Sequence, residues 1–276
     1  MSSLVVNNNL QALNAYNNLN QTDQAMTKAI SQLSSGLQIQ TAADNPAGYV
    51  IAEGLQAQGN GYTQAISNSQ NGVSLIQTAS GALNQIASIL QTMNSLALSS
   101  ANGATNDSQS LNANQQEFQA LSNQIDQIAQ TTSFGTTSLL NGTFSGQTLQ
   151  VGAFDNANNS LTLNIASATA ASLGISGLSV GSAASAQAAM SAVQAAINTV
   201  ASSEAAVGAT QNQLNAIVSN LTVGQQNLQA AYSGLVDVNF AQATTTFSTD
   251  QILMQSGVAM LSQAQQSPSM VLKLLQ

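Results

Sequence analysis

The chain has 276 residues and a net charge of −8, with ten carboxylates against two lysines and no histidine, cysteine or tryptophan. Without cysteine or histidine there is no thiolate nucleophile, no imidazole base and no zinc cluster. Two cations cannot neutralise a phosphate backbone or hold an anionic bilayer, so nucleic-acid and membrane partners are excluded.

The length suits one or two compact domains. Asn, Gln, Ser and Thr carry the polar surface. No run of about 18 apolar residues exists, so no transmembrane helix is expected. Met1 to Asn9 lacks a basic n-region and an apolar h-region, and a cleaved secretory signal is not expected.

The first element is a helix over residues 10–38. Leu19, Met26 and Leu33 recur every seven residues, with Ile30 and Leu37 as a second pair beside them. Ser34-Ser35-Gly36 ends it, and a loop through Asp44-Asn45-Pro46 follows. A second helix runs from about Asn71 to Ser100, with Ile76, Leu83, Leu90 and Ala97 in one row and Ala79, Ile86 and Met93 in another. Asn102-Gly103 ends it. Asp107 is set to cap a third helix carrying Leu111, Phe118 and Ile125, with Leu121 and Ile128 in the adjacent row.

From Thr131 to about Gly181 the chain turns rich in Gly, Ser, Thr and Asn. Thr148–Val151 and Leu161–Ile165 alternate weakly around the turn-forming run 155–159, which predicts a small β-hairpin. With no heptad stripe, Thr131 to Ser185 is expected to face outward.

The fourth helix has the strongest pattern. Val193, Val200, Val207, Leu214, Leu221, Leu228 and Leu235 recur at seven-residue spacing and require a long partner. A final helix, about Gln251 to Ala264, carries Leu253, Met260 and Leu261. Pro268 breaks it, and an apolar tip containing Leu274 closes the chain. The fold class is therefore mainly α. Long heptad-patterned helices from both ends fold back as an antiparallel bundle or coiled coil, with a small β-hairpin region in the middle. Residues 1–40 and 236–276 form an inner coiled-coil domain. Residues 41–235 form an outer helical domain, the hairpin region lying at about 131–181.

No motif points to catalysis. Asp44 beside Asn45-Pro46 reads as a turn, since one carboxylate cannot hold calcium. Gly54, Gly59 and Gly61 read as loop flexibility, because no strand precedes them and no lysine follows. The carboxylates are too scattered to pair as acid and base. No cofactor, metal or catalytic residue is assigned.

The wording of the chain resembles a known family. Residues 34–48, SSGLQIQTAADNPAG, are similar to the bacterial flagellin signature SSGLRINSAADDAAG. Asn71 to Ala79 resembles NDGISLIQTA, Ser138 to Gly142 contains LLNG, Met260 to Ala264 resembles MLAQA, and Val271 to Leu275 resembles VLQLL. The resemblance implies a non-enzymatic subunit that polymerises with itself into the extracellular flagellar filament. It implies export through the flagellar channel without a cleaved signal, an export chaperone, and hook-associated and cap proteins as partners. A hook–filament junction protein of the same family is the alternative.

The stripes expected to carry assembly are Leu19, Met26, Leu33, Leu37, Leu214, Leu221, Leu228, Leu235, Leu253, Met260, Leu261 and Leu274. Residues 89–96 resemble ILQRMREL, a helix that Toll-like receptor 5 recognises in many flagellins. Leu90, Gln91, Leu96 and Glu117 match that surface, but Thr92, Asn94 and Ser95 replace its two arginines and its glutamate. Family members lace subunit contacts with ion pairs, and this chain has almost no cations to do so.

Overall fold

A computed structural model of the chain describes residues 8–274, with side chains as far as residue 266. Its elements are α1 (Leu10–Ser35), α2 (Pro46–Ala101), α3 (Ser108–Thr131), β1 (Ser133–Phe134), β2 (Thr137–Ser138), β3 (Gln147–Gln150), β4 (Ser160–Leu163), α4 (Ala183–Val236) and α5 (Phe240–Leu274). They fall into two compact units. One takes in residues up to Ala57 and from Asn227 onward; the other is Gln58–Gln226.

In the larger unit the seven-residue rows form a core. Ile76, Leu83, Leu90 and Ala97, with Ala79, Ile86 and Met93, are almost wholly buried along α2. Phe118 and Ile125 of α3 join them, as do Val193, Val200, Val207 and Leu214 of α4. Burying each large side chain stabilises the fold by about 1.5–3 kcal/mol. α2 and α4 run antiparallel: the two leucine methyls of Leu214 lie against Gly72, the Tyr62 ring packs on Gly224, and Gln225 Nε2 donates to Thr63 Oγ1 at 2.7 Å. Asp107 caps α3 as expected, accepting from Ser110 N at 2.7 Å.

β3 and β4 pair antiparallel, Gln147 opposite Leu163 and Gln150 opposite Ser160. The hairpin lies where the alternation predicts it. Its surroundings differ from the expected outward-facing segment. Leu139, Leu140, Phe144, Val151, Leu163, Ile165, Leu173, Ile175 and Val180 are all buried and belong to the core. The segment has an inner surface after all, made of irregular backbone rather than a heptad stripe. Two side chains of α3 hold it down: Asp126 accepts from Ala170 N at 2.7 Å, and Gln115 Oε1 accepts from Val180 N and Ser179 Oγ.

Three boundaries depart from expectation. α2 begins at Pro46, not near residue 71. Asn45 Oδ1 accepts from Gly48 N at 2.9 Å, so Asn45-Pro46 is an N-cap followed by proline at the first helical position. Gly54, Gly59 and Gly61 therefore lie inside a helix rather than in a flexible loop. Gly61 has a packing reason: a Cβ there would stand 2.6 Å from Ala153 Cβ, in the turn between β3 and β4. Finally, α5 starts at Phe240 and continues past Pro268.

Gly61→Leu should pry the hairpin turn off α2 and lower stability by about 1–3 kcal/mol, as overpacking does. Gly81, which has nothing within 4 Å of its would-be Cβ, supplies the control. Gly81→Ala should raise stability by about 0.5–1 kcal/mol through helix propensity alone. Urea unfolding followed by circular dichroism separates the two signs.

Candidate functional site

The smaller unit pairs the two ends of the chain. Gly36 stops α1 in the left-handed region at φ 76°, its N–H returning to Gln32 O at 2.9 Å. The next residues cross the segment between α4 and α5. Gln38 N donates to Val236 O at 2.6 Å, Val238 N donates to Gly36 O at 2.8 Å, and Leu37 and Asp237 form an antiparallel bridge. Leu37 thus lies beyond the helix, half-buried in this crossing, and not in a helical stripe.

α1 and α5 then lie antiparallel. Leu19 Cδ1 faces Gly257, the Phe240 ring faces Gly36, and Asn9 Nδ2 donates to Ala264 O at 2.7 Å. Apart from Gln32, half-buried where its Nε2 donates to Gln38 O, the half-buried and buried positions of α1 are Ala12, Ala15, Leu19, Thr22, Met26, Ala29 and Leu33; those of α5 among the described side chains are Ala243, Phe247, Asp250, Met254, Gly257, Leu261 and Ala264. Each set steps by alternating threes and fours, the a and d positions of a heptad. Leu19, Met26, Leu33 and Leu261 are therefore in the seam. Leu253 and Met260 are not: they are 51% and 65% exposed. Their seven-residue spacing is real, but it marks the flank beside the seam. There they border a groove of about 750 Å³ with Gln11, Asn14, Asn18 and Gln263. Leu274 lies outside the described side chains.

Of the α4 residues in the expected stripe, Leu214 is fully buried in the core of the larger unit, and Leu221 is half-buried there. Leu228 and Leu235 are half-buried in the smaller unit. Leu90 cannot face a receptor, since it is wholly buried in the core; Leu96 is half-buried, and Gln91 and Glu117 are exposed.

Charge is sparse. The one ion pair among the described residues joins Lys28 Nζ of α1 to Asp44 Oδ1 at 2.9 Å. The other carboxylate oxygen accepts from Gln40 N, Thr41 N and Thr41 Oγ1. The lysine first, then these donors, hold the Asp44 carboxyl at about 2, well below its ordinary 3.8. Asp250 is the opposite case. It occupies a seam position, and its Oδ2 is buried with no hydrogen-bond partner. The three contacts that set the register put it level with Met26. No apolar periodicity could have flagged it, nor the Ala, Thr and Gly positions of the seam. Among the described residues no three His, Cys, Asp or Glu side chains gather where they could hold a metal ion.

Comparison with known proteins matches both ends of the chain. Residues 6–145 match the bacterial flagellin N-terminal helical region, and residues 190–275 match the bacterial flagellin C-terminal helical region. A flagellin of Halalkalibacterium halodurans is 40% identical over 272 residues, covering 99% of this chain and 100% of its own. A flagellin of Bacillus subtilis is 36% identical over 303 residues, covering 98% and 99%. Among solved structures, Bacillus cereus flagellin superposes with a TM-score of 0.50 at 28% identity, over 60% of this chain and 94% of its own. A flagellar hook-associated protein of Vibrio parahaemolyticus gives 0.58 over 70% and 100%, but at 14% identity it speaks to fold alone.

Two carboxylates of the smaller unit should answer substitution with opposite signs. Asp250→Leu completes the apolar seam and should raise stability by about 1–3 kcal/mol, the cost of a buried unsatisfied polar group. Asp44→Asn removes an ion pair and should lower it. Because the folded value of Asp44 lies below its ordinary one, its contribution is whole above about 3.8 and fades as the pH falls through about 2. The gap between wild type and Asp44→Asn should thus be flat from pH 7 to about 4 and closed below about 2. Thermal melts across that range measure both.

Proposed function

The chain belongs to the bacterial flagellin family and is a structural subunit of the flagellar filament; from that premise we propose that copies pack through the outer flanks of the α1–α5 pair. The observation that carries this is the apolar surface left outside the seam. Leu10, Leu13, Tyr16 and Ile30 are exposed on α1, and Ile252, Leu253, Val258 and Met260 on α5. On α1 these side chains fall at the b, e and f positions of the heptad, one continuous flank. Apolar surface gathered on one short pair of helices marks a surface meant to be covered. The groove bordered by Leu253 and Met260 adds amides from Gln11, Asn14, Asn18 and Gln263. Those groups can hydrogen-bond a neighbouring helix without any charge.

The near-complete match in length to two flagellins favours the filament subunit over the junction protein. Flagellins form an extracellular filament, and among the described residues no helix is long and apolar enough to cross a membrane. We further infer, by family likeness, export through the flagellar channel with a chaperone, and contact with hook-associated and cap proteins. Receptor recognition through residues 89–96 is not part of the proposal, because Leu90 is in the core.

Two experiments test the reading. Leu13→Glu and Val258→Glu alter only the outer flanks. Each should leave the helical content intact and raise the critical concentration for polymerisation at least about tenfold, the factor set by 1.4 kcal/mol. Unchanged sedimentation of polymer would count against those flanks. The second concerns acid. One ion pair is available to break among the described residues, and the net charge of −8 shrinks as carboxylates protonate. Lowering the pH from 7 to about 2.5 removes repulsion while the Asp44 carboxyl, held at about 2, stays largely ionised. Filaments should release little monomer to the supernatant at about pH 2.5 and should bundle instead, as particles near zero charge do. Extensive monomer release would contradict it.

A further inference from the structure

α5 spans Phe240–Leu274, so Pro268 lies within it. Proline has no backbone N–H. In an α-helix that N–H would bond the carbonyl four residues back, here the carbonyl of Ala264. The helix cannot make this bond, and one carbonyl on α5 is left for another donor. Asn9 supplies it. Its Nδ2 donates to Ala264 O at 2.7 Å, between residues 255 apart in the chain. The other atom of the same amide is also used: Asn9 Oδ1 accepts from Ala12 N at 3.1 Å and caps α1.

The residue type matters. Aspartate and serine cap helices as well as asparagine does. Aspartate has no proton to donate, and the serine hydroxyl is a single short group that cannot span both partners. Only the asparagine amide sets an acceptor and a donor on separate atoms of one rigid plane.

We propose that Asn9 and Pro268 together form a register lock for the α1–α5 pair. A heptad seam repeats itself, so sliding one helix by seven residues still presents small and apolar groups to each other. Such a slip would carry Asn9 from Ala264 to Gly257. The Gly257 carbonyl already has its helical donor in the N–H of Leu261, so the Asn9 amide would be left without an acceptor. Proline marks one carbonyl of α5 as open, and asparagine at the start of α1 reads that mark. A single polar contact that fixes register at some expense in stability is a known use of asparagine in helix pairs. The proposal rests on the α1–α5 pair being the assembling module.

The chain has no cysteine, so register can be read by introduced pairs. Leu19→Cys with Gly257→Cys reports the observed register. Ala12→Cys with Gly257→Cys reports the slip, because the same seven-residue shift that carries Asn9 to Gly257 brings Ala12 opposite Gly257. Each pair is placed in the full chain, alone and with Asn9→Asp, which keeps the cap and removes the donor. Oxidation is scored on filaments and on soluble chain alike. Asn9→Asp should shift the ratio of observed to slipped product by about fivefold, the factor for one ordinary hydrogen bond. Adding Pro268→Ala restores the helical donor to Ala264, and in that background Asn9→Asp should have little further effect. An unchanged ratio, or an equal effect with and without Pro268, would overturn the lock and leave Asn9 as a cap only. If the parent chain makes no filaments, the assembly reading fails instead, whatever the cross-links show.

Discussion

The antiparallel seam between α1 and α5 joins residues separated by almost the whole chain, and the rest of the architecture has to permit it. For the ends to meet, the chain must run out and come back. α2 and α4 run antiparallel in the larger unit, with Tyr62 on Gly224 and Gly72 against Leu214. At the crossing after α1, two backbone hydrogen bonds, which make the Leu37–Asp237 bridge, link residues 36–38 to 236–238. Backbone pairing there does not depend on side chains, so it fixes where α1 ends and α5 begins. Gly36, with its positive φ, is what lets the chain turn out of α1 and into that crossing.

A second constraint is the scarcity of charge. Exposed ion pairs contribute little in any case, so their loss costs less stability than it costs polar surface. Amides and hydroxyls take over that surface. In α5 the hydroxyls of Thr244, Thr245, Thr246, Ser248 and Thr249 each donate to the carbonyl four residues back. A hydroxyl satisfied by its own helix does not need a partner across an interface. Such a helix can meet a neighbour with methyl and methylene groups foremost, and nothing charged has to be desolvated.

The larger unit was the more legible part of the sequence. Its rows are mostly Ile, Leu, Val, Met and Phe, whose burial gives a strong seven-residue signal, and the hairpin strands lie within a residue or two of the expected bounds. The smaller unit was harder to read because its seam is built from Ala, Thr, Gly and even Asp. On α5 the conspicuous Leu253 and Met260 drew attention to the flank, and the quiet Ala243, Gly257 and Ala264 carry the contact. The early start of α2 was written in Asn45-Pro46, a cap and a first-turn proline, yet the following glycines hid the helix. Irregular segments such as 165–180 leave no period at all. Their burial depends on tethers from Gln115 and Asp126, which are distant in sequence.

The small seam also has an energetic consequence. A leucine in a seam stabilises by about 1.5–3 kcal/mol, and an alanine by roughly 0.8 per methyl group. Four alanines and one glycine among fourteen seam positions would already make a modest pair, and the count here is five alanines with Gly257, two threonine-or-aspartate positions aside. Asp250 subtracts further. Leu19, Met26, Leu33, Phe247, Met254 and Leu261 supply the large apolar groups of the seam, fewer than half of its positions. Further large apolar side chains lie on the outer flanks, at Leu10, Leu13, Tyr16, Ile252, Val258 and Met260. On the proposed packing of copies through those flanks, part of the apolar burial that steadies the helix pair is completed by another copy. On that proposal the ends are held more firmly in the polymer than in the lone subunit, as a polymer assembled one chain at a time requires.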